Sequence, residues 1–388
     1  MKKVKLGDVC KIQSGGTPSR GNLNYWNNGN IPWVKISDIK EKYLSRTEEF
    51  ITQEGLANSS AKIFPKETIL YTIFATLGEV SILEIEATTN QAIVGLQIID
   101  ENICKDYLYY YLISLKPFVN EIGRGVAQNN INMQILRNFE IPLPSLEEQK
   151  AIARKLDKVS GLIEKRKTQL EKLSELVKSR FIEMFGDPVS NPFKWSTLTM
   201  KQASIRLSDG PFGSNLKSEH YTHEGVRVIR LGNIGCGYFN DEDQSYISQE
   251  HYETIKKYTC CSGEIVIATL GDPNLRACII PDHIDYGVNK SDCVHYVPKA
   301  EILNNQFVCQ YINCPETLSL ASGMVHGQTR SRISSGQLAD LPIYLPPIAL
   351  QQQFAAFVEQ IDKSKFEIQK SLEKLETLKK ALMQKYFG

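Results

Sequence analysis

The C-terminal stretch of the chain repeats its middle. Phe139–Gly186 and Leu341–Gly388 align without a gap at an offset of 202 positions. Leu143, Pro144, Gln149 and Ala153 fall on Leu345, Pro346, Gln351 and Ala355. Upstream the match weakens but continues. "NIPWVKISDI" (30–39) lies over "GVRVIRLGNI" (225–234), which sets Lys35 over Arg230. "ATLG" recurs at Ala75–Gly78 and Ala268–Gly271, and "YLYYYLI" parallels "FVCQYIN". One module of about 190–200 residues is therefore present twice. The period is far too long for a solenoid, whose units are several-fold shorter.

Each module has two parts. The first mixes short apolar runs with Gly, Pro and Asn punctuation. "NIPWVKI", "TILYTIF", "AIVGLQII", "VRVIRLG" and "EIVIATLG" read as strands, and "KDYLYYYLISLKPFVNEI" has helical spacing. The second part is a long helix. Ser145 and Glu148 make a capping box. Ile152, Leu156, Val159, Ile163, Leu170, Leu173 and Val177 then follow a 3-4 spacing, interrupted at Arg166. The second copy has Phe354, Val358, Ile361, Ile368, Leu372, Leu375 and Leu382, interrupted at Lys365 and Lys379. Pro346 and Pro347 stand where a helix start tolerates proline. A helix with one narrow apolar stripe needs a partner. It can pack on its own globule, or the two helices can pair as an antiparallel coiled coil. The like stripes favour pairing. The expected class is α+β: two similar mixed α/β globules separated by that helix pair. At 1.5 Å per residue, ~35 residues give a rod of roughly 50 Å with a globule at each end.

Composition narrows the function. The chain has 388 residues and formal net charge +1, so any polyanion binding must come from local patches or partners. Nothing at the N-terminus reads as a signal peptide, and no apolar run reaches the ~20 residues that span a bilayer. The expectation is a soluble, cytoplasmic protein. The nine cysteines include no C-x-x-C pair and read as reduced thiols. The six histidines all lie in the second half and match no zinc spacing, so no metal is expected. No G-x-x-x-x-G-K loop is present, and "NPFK" (191–194) reads as a linker turn.

Two similar heads with approximate twofold symmetry suit duplex DNA, whose dimeric readers contact half-sites about one helical turn apart. Here the sequence resembles the specificity (S) subunits of type I restriction–modification systems. The likeness rests on "IPLPSLEEQKAIARKLD" and "LPIYLPPIALQQQF" before the helices, on "MFGDPVSNPFKW", and on the openings "SGGTPSRGNLNYWNNGNIPWVKISDI" and "SDGPFGSNLKSEHYTHEGVRVIRLGNI". The second helix start has "PIALQQQ" where the family usually has "LEEQ". The resemblance implies target-recognition domains at 1–144 and 187–345, with conserved helices at 145–186 and 346–388. It implies a non-catalytic chain without its own cofactor. Modification subunits, two of them, would methylate adenine with S-adenosylmethionine. Restriction subunits would use ATP and Mg. Glu148, Gln149, Arg154, Gln351 and Gln352 would face those partners.

Candidate DNA contacts follow from chemistry. "SGGTPSR" offers Gly16, Thr17, Ser19 and Arg20, and "SDGPFGSNLK" offers Phe212, Ser214, Asn215 and Lys217. Such small-residue loops let backbone N–H groups approach phosphates, while polar side chains reach base edges. Lys35 and Arg230 recur at matched strand positions. "GRGVAQNNIN" holds Arg124, Gln128, Asn129, Asn130 and Asn132, with amides suited to adenine. Its counterpart "HGQTRSRIS" holds Gln328, Arg330 and Arg332, with guanidinium groups suited to guanine or phosphate. Two alternatives remain open on residues alone: a protein-binding coiled-coil scaffold, and a free-standing DNA-modifying enzyme.

Overall fold

The computed structural model describes residues 2–124, 131–323 and 332–388. The chain divides into two compact units, Met1–Lys167 with Lys370–Gly388, and Thr168–Gln369.

In the first unit the apolar runs become a five-stranded sheet. Its order is Cys10–Ser14, Ile93–Ile98, Ile69–Thr72, Val80–Leu83, Tyr43–Leu44. All four residues of Ile69–Thr72 are buried, as a central strand covered on both faces requires. A smaller sheet sets Ile31–Val34 between Glu49–Ile51 and Thr88–Thr89. Lys3–Lys5 pairs with Glu140–Pro142. The run "KDYLYYYLIS" is the helix Lys105–Ser114, buried from Tyr107 to Leu112. Burial of Tyr107, Tyr110 and Tyr111 is tolerable because their hydroxyls find partners. Tyr107 donates to the Pro142 carbonyl at 2.8 Å, and Tyr111 to that of Glu140 at 3.0 Å.

The second unit repeats the plan. One sheet runs Ser204–Ser208, Cys293–Pro298, Ile265–Ala268, Arg276–Ile279. The other sets Val226–Ile229 between Ser245–Ile247 and Tyr286–Asn289, with Tyr221–Thr222 and Thr259–Cys261 at its edges. Thr197–Thr199 pairs with Pro342–Tyr344, the counterpart of the first unit's terminal pair.

The two long helices are Leu146–Phe185 and Ile348–Phe387, each of 40 residues. They pack together, start against end. In the first unit Ile152 and Leu156 share a core with Leu382, Met383 and Phe387, whose ring lies 5.2 Å from Tyr107. In the second unit Val177, Phe181 and Phe185 share a core with Phe354, Val358 and Ile361. Both sequence alternatives hold at once, because each helix segment packs on a globule as well as on the other helix. The capping box forms as read. Ser145 N–H donates to Glu148 Oε2 at 2.9 Å, and Glu148 N–H to Ser145 Oγ at 3.4 Å. The Ser145 hydroxyl, then its N–H, hold the Glu148 carboxyl below its ordinary value.

One polar device fastens helix to globule in both units. Gln149 is fully buried. Its Oε1 accepts from Cys104 N–H at 2.8 Å, and its Nε2 donates to the Asn102 carbonyl at 2.8 Å and the Pro144 carbonyl at 3.0 Å. Gln351, also fully buried, makes the same three bonds. It accepts from Asn304 N–H at 2.9 Å and donates to the Ile302 and Pro346 carbonyls at 2.9 and 2.8 Å. A carboxamide alone supplies one acceptor and two donors in a plane, which is what these backbone groups need.

Candidate nucleic-acid interface

In the first unit the loop after Cys10–Ser14 is held against a tight turn. Gly15 N–H donates to the Ile93 carbonyl at 3.1 Å and Gly16 N–H to that of Thr89 at 2.9 Å. A Cβ on Gly15 would stand 2.4 Å from the Asn90 carbonyl oxygen, so only glycine allows this approach. Two indoles fix the rest of the loop. Trp33 Nε1 donates to the Gly16 carbonyl and Trp26 Nε1 to that of Ser19, both at 3.0 Å. Thr17 donates its hydroxyl to Gln91 Oε1. The Arg20 guanidinium lies 3.8 Å from the Trp26 ring centroid and meets Glu49 at 2.5 Å. Lys35 reaches Glu48 at 2.7 Å and Glu49 at 3.3 Å. The Glu48 hydrogen bond keeps the Lys35 ammonium above its ordinary value, and the Arg20 bond lowers that of the Glu49 carboxyl.

The second unit builds the same assembly with other side chains. A Cβ on Gly210 would stand 2.3 Å from the Asn289 and Lys290 carbonyl oxygens. Asp209 Oδ1 accepts from Gly210 N–H at 2.8 Å and Asp292 N–H at 3.0 Å, and burial raises the Asp209 carboxyl above its usual range. Phe212, Ser214, Asn215 and Lys217 follow along an exposed loop that includes the turn Gly213–Asn215. His251 Nε2 touches the Asn215 carbonyl at 2.9 Å, and Lys217 pairs with Glu219 at 3.4 Å. Arg230, the match of Lys35, meets Asp243 at 3.0 Å and the Ser245 hydroxyl at 3.1 Å. Arg332 pairs with Asp292 at 2.7 Å and lies over the Phe212 ring at 5.8 Å.

The second polar loop of each unit rejoins the same place. Ile131 N–H donates to the Ile73 carbonyl at 3.1 Å, and Ile73 N–H to that of Ala92 at 2.9 Å. Ile333 N–H donates to the Thr269 carbonyl and Thr269 N–H to that of Asp292, both at 3.0 Å. Each head thus brings together its first polar loop, a turn between strands, and the end of its second polar loop. Asn132 and Ser334 stand at that end as helix caps, Asn132 Oδ1 accepting from Ile135 N–H at 2.9 Å. Gln128, Asn129, Asn130, Gln328 and Arg330 lie outside the described residues, as does the side chain of Arg124. Of the helix candidates, Glu148, Arg154 and Gln352 are exposed, whereas Gln149 and Gln351 are turned inward. Sequence reasoning passed over the turns Asn90–Ala92 and Lys290–Asp292. Their signal was the alignment of "TTNQAIVG" (88–95) with "VNKSDCVH" (288–295). Among the described residues no group of His, Cys, Asp and Glu is arranged to hold a metal ion, and no helix is long and apolar enough to cross a membrane.

A family model described as the type I restriction modification DNA specificity domain matches residues 1–174 and again 216–380. The chain belongs to this family of specificity subunits. It is a DNA-recognition component rather than a catalytic one. It is similar over 99% of its length to the MjaIX specificity subunit of Methanocaldococcus jannaschii, with 27% identity and 91% of that protein covered. The EcoR124I/EcoR124II specificity subunit of Escherichia coli is 31% identical over 165 residues, 40% of each chain. Among solved structures, the S subunit from M. genitalium aligns over 100% of this chain and 96% of that one, with TM-score 0.55 and 17% identity. A chain solved to explain complex assembly and conformational transition of the type I R-M system aligns over 100% and 97%, with TM-score 0.58 and 17% identity. At such identities the likeness is one of fold.

Proposed function

We propose that the two heads of this specificity subunit, residues 1–144 and 187–345, each read one half of a bipartite duplex target. The helices at 145–186 and 346–388 set the unread spacer and dock two modification subunits, with Glu148, Arg154 and Gln352 among the exposed docking residues. S-adenosylmethionine, ATP and Mg belong to the modification and restriction subunits. The observation that carries the reading is the three-part loop assembly built twice from unlike side chains, one backbone frame holding two different sets of polar groups. The ion pairs of Arg20, Lys35, Arg230 and Arg332 also fit it. Charges compensated within the head add little phosphate affinity, so partner subunits would supply most of it.

The test is selection from random duplexes by the complex that the full chain forms in its host. Two fixed base clusters separated by an unspecified spacer are expected. Inserting four residues in helical register between the heads, ~6 Å of helix, should lengthen that spacer by about two base pairs. Absence of any enriched sequence would support a protein scaffold. Transfer of a labelled methyl group by the purified chain alone would support a free-standing enzyme.

A further inference from the structure

The turn Asn90–Ala92 carries a side chain that no functional reading has used. Gln91 is exposed, and its side chain meets Thr17 of the first polar loop. The turn beneath it is fixed from several sides. Asn90 N–H donates to the Val34 carbonyl at 3.1 Å and Ile93 N–H to that of Asn90 at 3.3 Å. Asn90 Oδ1 accepts from Ala92 N–H at 3.1 Å, and the Ser14 hydroxyl donates to the Gln91 carbonyl at 3.4 Å. The second head makes the same turn, Lys290 N–H donating to the Ile229 carbonyl at 2.9 Å and Cys293 N–H to that of Lys290 at 3.1 Å. In both heads the glycine of the first polar loop is pressed on this turn. A solvated tip with no task would not need that contact twice.

We infer that Gln91 is a specificity-determining residue of the first head, reading an adenine by its major-groove edge, with Thr17 as its positioning residue. The inference rests on the reading that this head contacts one half-site. The Thr17 hydroxyl donates to Oε1, so that end of the carboxamide points inward in this arrangement. A carbonyl oxygen has a second lone pair, so the outward edge still offers one acceptor beside the Nε2 donors. Adenine presents the complement, the N7 acceptor beside the N6 donor. The matched position in the second head is Ser291, beside the Asp292–Arg332 pair, so the two heads present different chemistry from one frame.

The test is random-duplex selection with the host-assembled complex of three full-length variants. Gln91→Ala should lose on the order of tenfold preference at one position of one half-site, leaving the other half-site unchanged. Gln91→Glu should move the preference at that position toward cytosine, whose N4 group donates. Disrupted packing cannot produce such a switch. Thr17→Val should weaken the same position and no other. A motif unaltered by Gln91→Glu, or an equal loss of affinity for all sequences in Gln91→Ala, overturns the inference. If the unsubstituted complex enriches no bipartite motif, the broader reading of the heads fails instead.

Discussion

The two units fasten their helices in one shared way and one private way. The shared way is the buried glutamine, whose three backbone partners recur in both. The private ways differ in kind. In the first unit Lys42 lies between Asp157 of the central helix, at 2.5 Å, and Asp106, at 2.8 Å, with the Tyr110 hydroxyl on Asp157 at 2.7 Å. Burial pulls the Lys42 ammonium down, but the two carboxylates outweigh it and the group ends above its ordinary value. In the second unit Gln306, Gln310 and Glu359 replace Asp106, Tyr110 and Asp157, and an aromatic cluster takes over. Phe181 lies 5.5 Å from Phe354, where the first unit has Met383 and Ile152. Polar groups that answer to the backbone are thus held fixed by the repeat. Side chains that answer only to one another are free to change, provided volume and charge stay matched.

The shared fastening should be the costlier to break. Gln149→Leu and Gln351→Leu each strand a buried N–H and two carbonyls, for an expected loss of roughly 3–5 kcal/mol. The unit that holds the substitution should bear the loss. Trp26 and Trp33 lie in the first unit and Trp195 in the second, so denaturant unfolding followed by fluorescence in Trp195→Phe, or in the double variant lacking the other two, separates them. Equal unfolding midpoints before and after substitution would show that the glutamines are incidental. The private fastening predicts asymmetry at a matched pair. Phe354 is fully buried, and Phe354→Ala should cost about 3–5 kcal/mol. Its counterpart Ile152 is only partly buried, so Ile152→Ala should cost about 1–2 kcal/mol. Similar losses at both sites would mean the two cores are equivalent after all.

Acid should also tell the units apart. All six histidines fall in the second unit. His295 is 1% exposed, with Nε2 2.8 Å from Glu264. Burial is the main cause holding its imidazole below the ordinary 6.5, with Arg206 acting the same way and Glu264 opposing. The unfolded chain then takes up this proton at a higher pH than the folded one. Stability is present above the ordinary value and falls as pH drops through it, by at most ~1.4 kcal/mol per pH unit for one proton. The Trp195 transition should weaken between about pH 7 and 5.5, and His295→Gln, which keeps a donor for Glu264, should flatten that dependence. An unchanged slope in His295→Gln would assign the effect to other groups.

Duplication, helix pairing and the mixed character of the heads were legible because each is written in periodicity. Ile152, Leu156, Val159 and Ile163 announce a stripe whatever covers it. Gln149 and Gln351 were legible as a matched pair but not as buried ones. Glutamine is usually exposed, and its partners at Cys104 and Asn304 stand more than forty residues away. Gln91 escaped for a similar reason, since a polar residue between two strands reads as a solvated turn until Thr17 is folded against it. The partners of Lys35 and Arg230 depend on strand register, which no local pattern encodes. Ile31–Val34 must lie beside Glu49–Ile51, and Val226–Ile229 beside Ser245–Ile247, before the carboxylates come within reach.

Those last two residues carry the smallest expected effect. Lys35 and Arg230 occupy matched positions, and matched basic residues on a DNA-reading head invite assignment to phosphates. Each, however, already faces a carboxylate of its own head. A cation that neutralises a phosphate releases counterions, and its removal lowers the salt slope of binding by about one. A cation already neutralised releases none. Lys35→Gln and Arg230→Gln, measured in the assembled complex across a range of salt, should therefore leave the slope of log K against log salt unchanged. A drop of about one in either variant would return that residue to the phosphate backbone. A drop in only one would show that the heads, alike in fold and in the placement of this charge, differ in how closely they approach the duplex.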